Sequence, residues 1–255
     1  MTDGSYGARE DAPRGAWRLL RGVVLLLICW SILGVILTVA STLSLLTFRI
    51  GVGSWFPKMT RVTSRIVLWV IGVELKIVGL ERLAERKARI VVLNHCSQIE
   101  LFIFGVLMPP YGTVLVKREM FFIPFFGLAF FAFDFIFVDR SDRDKARSSI
   151  HGAAKRLDER RESVIVAPEG TRSTTGELGP FKMGVFHLAE ASGAPIVPVV
   201  IRGAHGVQPV GTHIPNPGVI AIEVLPEIGT DDFTPDNLKE KRDALRALYL
   251  EKLGR

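Results

Sequence analysis

Only two cysteines, Cys29 and Cys96, occur in the 255 residues. One lies in an apolar run and the other in a polar cluster. That excludes a disulfide framework and fits a reducing compartment. No internal repeat is present, which excludes a solenoid or propeller. No charge occurs from Gly22 to Phe48, a run of 27 residues rich in Leu, Val and Ile. No acid occurs between Arg49 and Glu74.

The uncharged run raises the mean hydropathy to +0.30. As a helix it would be about 40 Å long, enough to cross a bilayer with some tilt. A cleaved signal peptide has an apolar core of only about 7–15 residues, so a retained membrane helix is expected. Arg14, Arg18 and Arg21 precede the run; Arg49, Lys58, Arg61 and Arg65 follow it. Basic residues at both ends give no orientation by the positive-inside rule. A helix and return segment that both re-emerge on the cytoplasmic side would satisfy both flanks. In the return segment Trp55, Met59, Val62, Ile66, Trp69 and Val73 recur at spacings of three and four. With Lys58, Arg61 and Arg65 to one side, this reads as an amphipathic helix at a membrane interface. The net charge of +6 then points to an anionic lipid surface, and no nucleic-acid partner is expected.

Residues 1–15 are polar, with Gly and Pro, and are expected to be disordered. Residues 16–74 are expected to form a membrane-anchoring segment and 75–255 a separate domain. In the latter, short apolar runs alternate with helical stretches. The strands expected are Leu75–Val78, Ile90–Leu93, Thr113–Val116, Phe133–Val138, Val164–Ala167, Ile196–Ile201 and Val219–Val224. Helices are expected at Ile99–Leu107, Asp142–Glu162, Phe181–Ser192 and Asn237–Leu253. This is an α/β pattern with a mostly parallel sheet flanked by helices.

Two polar clusters follow buried strands, at the sheet edge where α/β proteins bind ligands. Asn94-His95-Cys96-Ser97-Gln98-Ile99-Glu100 follows one; Glu169-Gly170-Thr171-Arg172 follows another about seventy residues later. If His95 lies in the turn before a helix, Glu100 can bond one ring nitrogen and raise basicity at the other. The plain alternative is a capping histidine and an unrelated surface Glu. Arg172 can hold a phosphate as a bidentate fork, helped by backbone N–H groups near Gly170 and Thr171. The plain alternative there is a solvated arginine on a turn. Lys117 and Arg118 end a further strand, just before the phenylalanine-rich stretch Phe121–Phe137. Cations beside an aromatic surface suit a ligand with an anionic head and an apolar tail. Cys96 beside His95 leaves open a thiol nucleophile, hence a hydrolase.

Taken together these blocks resemble the 1-acyl-glycerol-3-phosphate acyltransferase (PlsC-like) family of glycerolipid acyltransferases. That family has Asn-His-x4-Asp, a basic block before a hydrophobic Pro-x-x-Gly segment, Glu-Gly-Thr-Arg-Ser, and a final apolar block with Pro. They occur here in order as Asn94–Glu100, Lys117–Gly127, Glu169–Ser173 and Ala194–Ile201, with Glu100 in place of the usual Asp. Pro180–Gly184 also resembles the segment after the third block.

The resemblance implies acyl transfer from an acyl-coenzyme A or acyl carrier protein thioester to the free hydroxyl of lysophosphatidic acid. His95 would be the base and Glu100 its orienting partner. Arg172, with Lys117 or Arg118, would hold the acceptor phosphate. Glu169 would shape its turn or bond the glycerol, and Phe121–Phe137 would line an acyl channel. A thioester is already activated, so no metal or cofactor is expected. The expected location is the cytoplasmic membrane, with the catalytic domain facing the cytoplasm. A different acceptor, whether a lyso-ornithine lipid, another lysophospholipid or glycerol 3-phosphate, remains open, as does a non-catalytic lipid-binding protein.

Overall fold

The computed structural model describes residues 6–9, 16–123, 126–139 and 142–255. In chain order its strands are β1 (Gly7–Ala8), β2 (Val73–Val78), β3 (Arg89–Leu93), β4 (Gly112–Lys117), β5 (Ile136–Val138), β6 (Ser163–Val166), β7 (Ile196–Arg202) and β8 (Gly218–Val224). The helices are α1 (Ala16–Leu46), α2 (Val52–Val70), α3 (Glu100–Leu107), α4 (Phe126–Ala132), α5 (Arg143–Arg160), α6 (Gly184–Ser192), α7 (Ala204–Val207) and α8 (Leu238–Leu253).

The strands form one sheet in the order β1-β8-β7-β3-β6-β4-β5, with β2 also paired to β8. The pairs β7–β3, β3–β6, β6–β4, β4–β5 and β2–β8 are parallel; β7–β8 and β1–β8 are antiparallel. β3 and β6 are buried along their whole length, as strands covered by helices on both faces must be. Alternate residues divide between two cores. Val91 and Leu93 face α2 and α3, whereas Ile90 and Val92 face α5, α6 and α8. The expected face of α5 is found, with Ala153, Ala154 and Leu157 buried and Ile150 packed against the same cluster.

The uncharged run does form a helix, α1. Among the described residues, no helix is long and apolar enough to cross a membrane. Ala40, Ser41 and Ser44 of α1 are buried, and the Ser44 hydroxyl donates to the Ala132 carbonyl at 2.8 Å. Arg49, in the turn before α2, pairs with Asp134 at 3.3 Å. Asp134 is also held by Arg156 and Arg160, so one carboxylate ties this turn to α5.

α2 differs from its expected single apolar face. Trp55 and Met59 pack on the core, with Phe56, Val67 and Leu68 buried beside them. Val62, Ile66 and Trp69 point outward, with Lys58 and Arg65 exposed among them. Val73 belongs to β2. The helix therefore carries two apolar faces, which period counting merged. Pro57 lies inside α2 and has no N–H for the Gly53 carbonyl. The Tyr111 N–H serves that carbonyl instead, at 2.8 Å, and docks α2 on the loop before β4.

Two other expectations change. Residues 6–9 of the N-terminus are ordered, with β1 on β8; the rest of 1–15 lies outside the described residues. The strand expected at Phe133–Val138 begins only at Ile136. Phe133 instead ends α4, and Asp134 at φ 59° closes a Schellman turn through Asp134 N–H to Phe131 and Phe135 N–H to Phe130. Phe125 falls outside the described residues.

Candidate active site

Beyond Leu93, the last paired residue of β3, a side chain continues the sheet. The Asn94 amide accepts from Ile201 N–H at 2.8 Å and donates to Ile201 C=O at 2.9 Å. This fixes the start of the His95 loop against β7. The His95 N–H donates to Glu169 Oε1 at 2.7 Å, and the Ser173 N–H donates to His95 C=O at 2.9 Å. The two clusters read from the sequence are thus bonded directly to each other.

Glu169 is buried, and its Oε2 accepts from Gly179 N–H at 2.8 Å. Burial raises its pKa, and the donated N–H bonds from His95 and Gly179 work against that rise. With each oxygen accepting from a main-chain N–H, Glu169 joins three loops. Gly179 permits the contact, since a Cβ there would come within 2.9 Å of the carboxylate. Gly170 adopts φ 71°, a conformation that favours glycine, and its N–H donates to Ala167 C=O. That N–H is therefore engaged within the turn.

Glu100 opens α3 and is fully buried. Its Oε1 accepts from Cys96 N–H at 2.8 Å, and its Oε2 bonds His95 Nδ1. A carboxylate at a helix N-terminus is electrostatically favoured. Glutamate in place of aspartate still reaches the ring. With Nδ1 occupied, Nε2 is the nitrogen left to accept a proton. The pair has the geometry a general base needs, with the ring held in one tautomer.

His95 lines an apolar cavity of about 960 Å³ between the sheet and helices α2 and α3. Lys117, Gly170, Thr171 and Arg172 line the same cavity. Lys117 and Arg172 are exposed and have no ion-pair partner among the described residues. Arg118 is placed differently, because it pairs with Asp139 at 2.7 Å. Phe130, Phe133 and Phe135 of the expected channel line the cavity, whereas Phe121 and Phe122 are exposed. The other walls come from α2 and α3, which sequence reasoning did not assign. Gly105 lets these helices meet, since a Cβ there would lie 2.1 Å from Ser64 Oγ.

Cys96 is buried, and burial, followed by the Glu100 carboxylate, pushes its thiol far above the usual range. A thiol held neutral in this way is a poor nucleophile. Among the described residues no group of three or more His, Cys, Asp or Glu is placed to hold a metal ion. His205, unremarked in the sequence, has its Nδ1 3.3 Å from the Cys96 carbonyl. Tyr249 of α8 is also new: its hydroxyl donates to Val92 C=O at 2.6 Å and accepts from Val199 N–H at 3.1 Å. A single buried Tyr in an amphipathic helix gives no sequence signal for such a role.

Comparisons with known proteins place the chain in a family. Residues 74–202 match the family described as Acyltransferase. The chain is 31% identical, over 96% of its length and 87% of the relative's, to a 1-acyl-sn-glycerol-3-phosphate acyltransferase of Limnanthes douglasii. A protein of the same description from Saccharomyces cerevisiae is 31% identical over 84% of this chain and 71% of its own. Among solved structures, the 1-acyl-sn-glycerophosphate (LPA) acyltransferase PlsC of Thermotoga maritima superposes with a TM-score of 0.77 at 21% identity, covering 93% of this chain and 96% of its own. That likeness concerns the fold.

Proposed function

The chain belongs to the acyltransferase family and is an O-acyltransferase; from that premise we propose that it moves a fatty acyl group from a thioester to the free hydroxyl of lysophosphatidic acid, giving phosphatidic acid. The observation that carries the reading is the His95 ring bonded through Nδ1 to a fully buried Glu100 while lining an apolar cavity that also holds Lys117 and Arg172. His95 Nε2 takes the proton of the acceptor hydroxyl, whose oxygen attacks the thioester carbonyl. Glu100 orients the ring and stabilises the imidazolium. The new C–O bond forms as the C–S bond breaks, and the proton passes to the leaving thiolate. Arg172 and Lys117 hold the acceptor phosphate as paired cations. Arg118 lies outside that role because Asp139 occupies it. The apolar cavity takes an acyl chain. The thioester carbonyl is already activated, so the step uses no metal.

The donor is acyl-coenzyme A or acyl carrier protein, and the enzyme works at the cytoplasmic membrane with its catalytic domain in the cytoplasm. Outward-facing apolar side chains on α1 and α2 support this. Val35, Val39 and Leu43 on the first helix, and Val62, Ile66 and Trp69 on the second, are all more than half exposed. Together they are a surface suited to lipid, with Lys58 and Arg65 for anionic headgroups.

The test is transfer from a long-chain acyl thioester to lysophosphatidic acid by purified, detergent-solubilised protein, with His95→Ala alongside. Phosphatidic acid is expected from the wild type, and a loss of at least about 10²–10⁴-fold from the variant. Transfer to lyso-ornithine lipid but not to lysophosphatidic acid would refute the acceptor assignment. Wild-type inactivity with every lyso-lipid and both donors would refute transferase function in favour of lipid binding.

A further inference from the structure

A second cavity, of about 790 Å³, lies beside the His95 loop and is not used by the mechanism above. His95 lines both cavities. The first is apolar and carries two cations, Lys117 and Arg172, with no ion-pair partner among the described residues. The second is bounded by the end of β2, the end of β7 with α7, and the C-terminal end of α8. Its three Arg and Lys side chains each have a carboxylate partner, while Glu251 lines it with no ion-pair partner among the described residues. Glu223 takes both Arg202 at 3.1 Å and Lys252 at 3.2 Å, and Arg255 pairs with Glu177 at 2.6 Å. Walls of this kind present hydrogen-bonding groups and carboxylates but no Arg or Lys without a carboxylate partner, so they suit a neutral polar ligand better than a phosphate or a fatty chain.

The transfer reaction needs two substrates to meet at one base. The acceptor brings an anionic head and a chain, which the first cavity matches. The donor brings its acyl group on a long neutral arm with two amides, common to coenzyme A and acyl carrier protein. We infer that the second cavity is the binding site of the donor's pantetheine arm. Its thioester lies at His95, the acyl chain enters the apolar cavity, and the free thiol leaves through the second. The inference rests on the acyl-transfer reading and adds the side from which the donor approaches. His205, which lines this cavity against the Cys96 carbonyl, is placed to bond an amide of the arm.

Val78 makes the test possible. It ends β2, is 66% exposed and lines the second cavity but not the first. Val78→Trp narrows the cavity without touching His95 or Glu100. The assay compares wild type and variant with acyl-coenzyme A, acyl carrier protein thioester, and an acyl N-acetylcysteamine thioester that lacks most of the arm. The expected result is a fall of about tenfold in kcat/KM for both full-length donors, as for other lost pocket contacts. The truncated thioester and the KM for the acceptor stay at their wild-type values. Equal losses with all three donors, or no loss with any, would overturn the inference, as would a change confined to the acceptor KM. Loss with acyl-coenzyme A alone would also overturn it, by assigning the cavity to the nucleotide end. Wild-type protein inactive with every donor would instead overturn the acyl-transfer reading itself.

Discussion

The face of the sheet covered by α5, α6 and α8 and the face covered by α2 and α3 share strands, yet use their apolar residues differently. On the first, Leu157, Phe186 and Tyr249 are fully buried and fill the space beneath their helices. On the second, Phe102 and Phe104 are only half-buried, and a cavity of about 960 Å³ separates helix from strand. Packing on the first face stabilises the sheet. The second face forgoes part of that stabilisation and leaves a hollow beneath its helices. The polar groups follow the same division. Arg202, Lys252 and Arg255 by the end of α8 are ion-paired, whereas Lys117 and Arg172 on the hollow side have no ion-pair partner among the described residues.

The largest expected effect lies where the two faces meet. Glu100→Gln keeps the volume but removes the charge that stabilises the imidazolium. The kcat should fall by about 10³-fold or more, by analogy with loss of the orienting carboxylate in other His pairs. A variant within a few-fold of wild type would break the dyad. Next, Leu157→Ala on the filled face should cost about 2–5 kcal/mol of unfolding free energy. Phe102→Ala on the hollow face should cost less and should alter acyl-chain preference. Equal costs by denaturant titration would erase the comparison. Third, Arg172→Ala should raise the KM for lysophosphatidic acid by about 10–100-fold, the scale of one charge-assisted bond. Arg118→Ala should leave that KM near wild type, because its partner is Asp139. The reverse pattern would exchange their roles.

Smaller effects come from the filled side. Tyr249→Phe leaves the Val92 carbonyl and Val199 N–H without their bridge. It should lower stability by about 1–3 kcal/mol with kcat retained. A fall in kcat at unchanged stability would make Tyr249 a positioning residue. Smallest of all, Cys96→Ser should keep activity, and iodoacetamide should label native Cys96 only slowly, since burial and Glu100 hold its thiol neutral. Rapid inactivation by that reagent would revive the thiol nucleophile.

Most of this architecture is legible in the sequence. The parallel strands are buried on both faces, so each reads as a continuous apolar run. Ile90–Leu93 and Val164–Ala167 fall within a residue or two of β3 and β6. The element α4 is hidden because a phenylalanine-rich run has the composition of a strand. Its end depends on one backbone angle, at Asp134. β1 is hidden because two residues carry no period. In the site, His95, Glu100 and Arg172 are recognisable by chemistry and spacing. The true duties of Glu169 and Asn94 are not, because both bond to main chain far along the sequence. The Arg118–Asp139 pair is likewise a matter of three-dimensional proximity. For α2, counting threes and fours finds apolar positions but cannot say which of two faces meets protein.

The paired bonds between the Asn94 amide and Ile201 have a mechanical consequence. A side chain there stands in for the next rung of a ladder that β3 itself no longer supplies. His95 is therefore cantilevered from a beam only one peptide long, and it takes its stiffness from the sheet rather than from the loop that follows. Heat or mild denaturant that loosens surface segments should reach the base late, so loss of turnover should track collapse of the whole sheet.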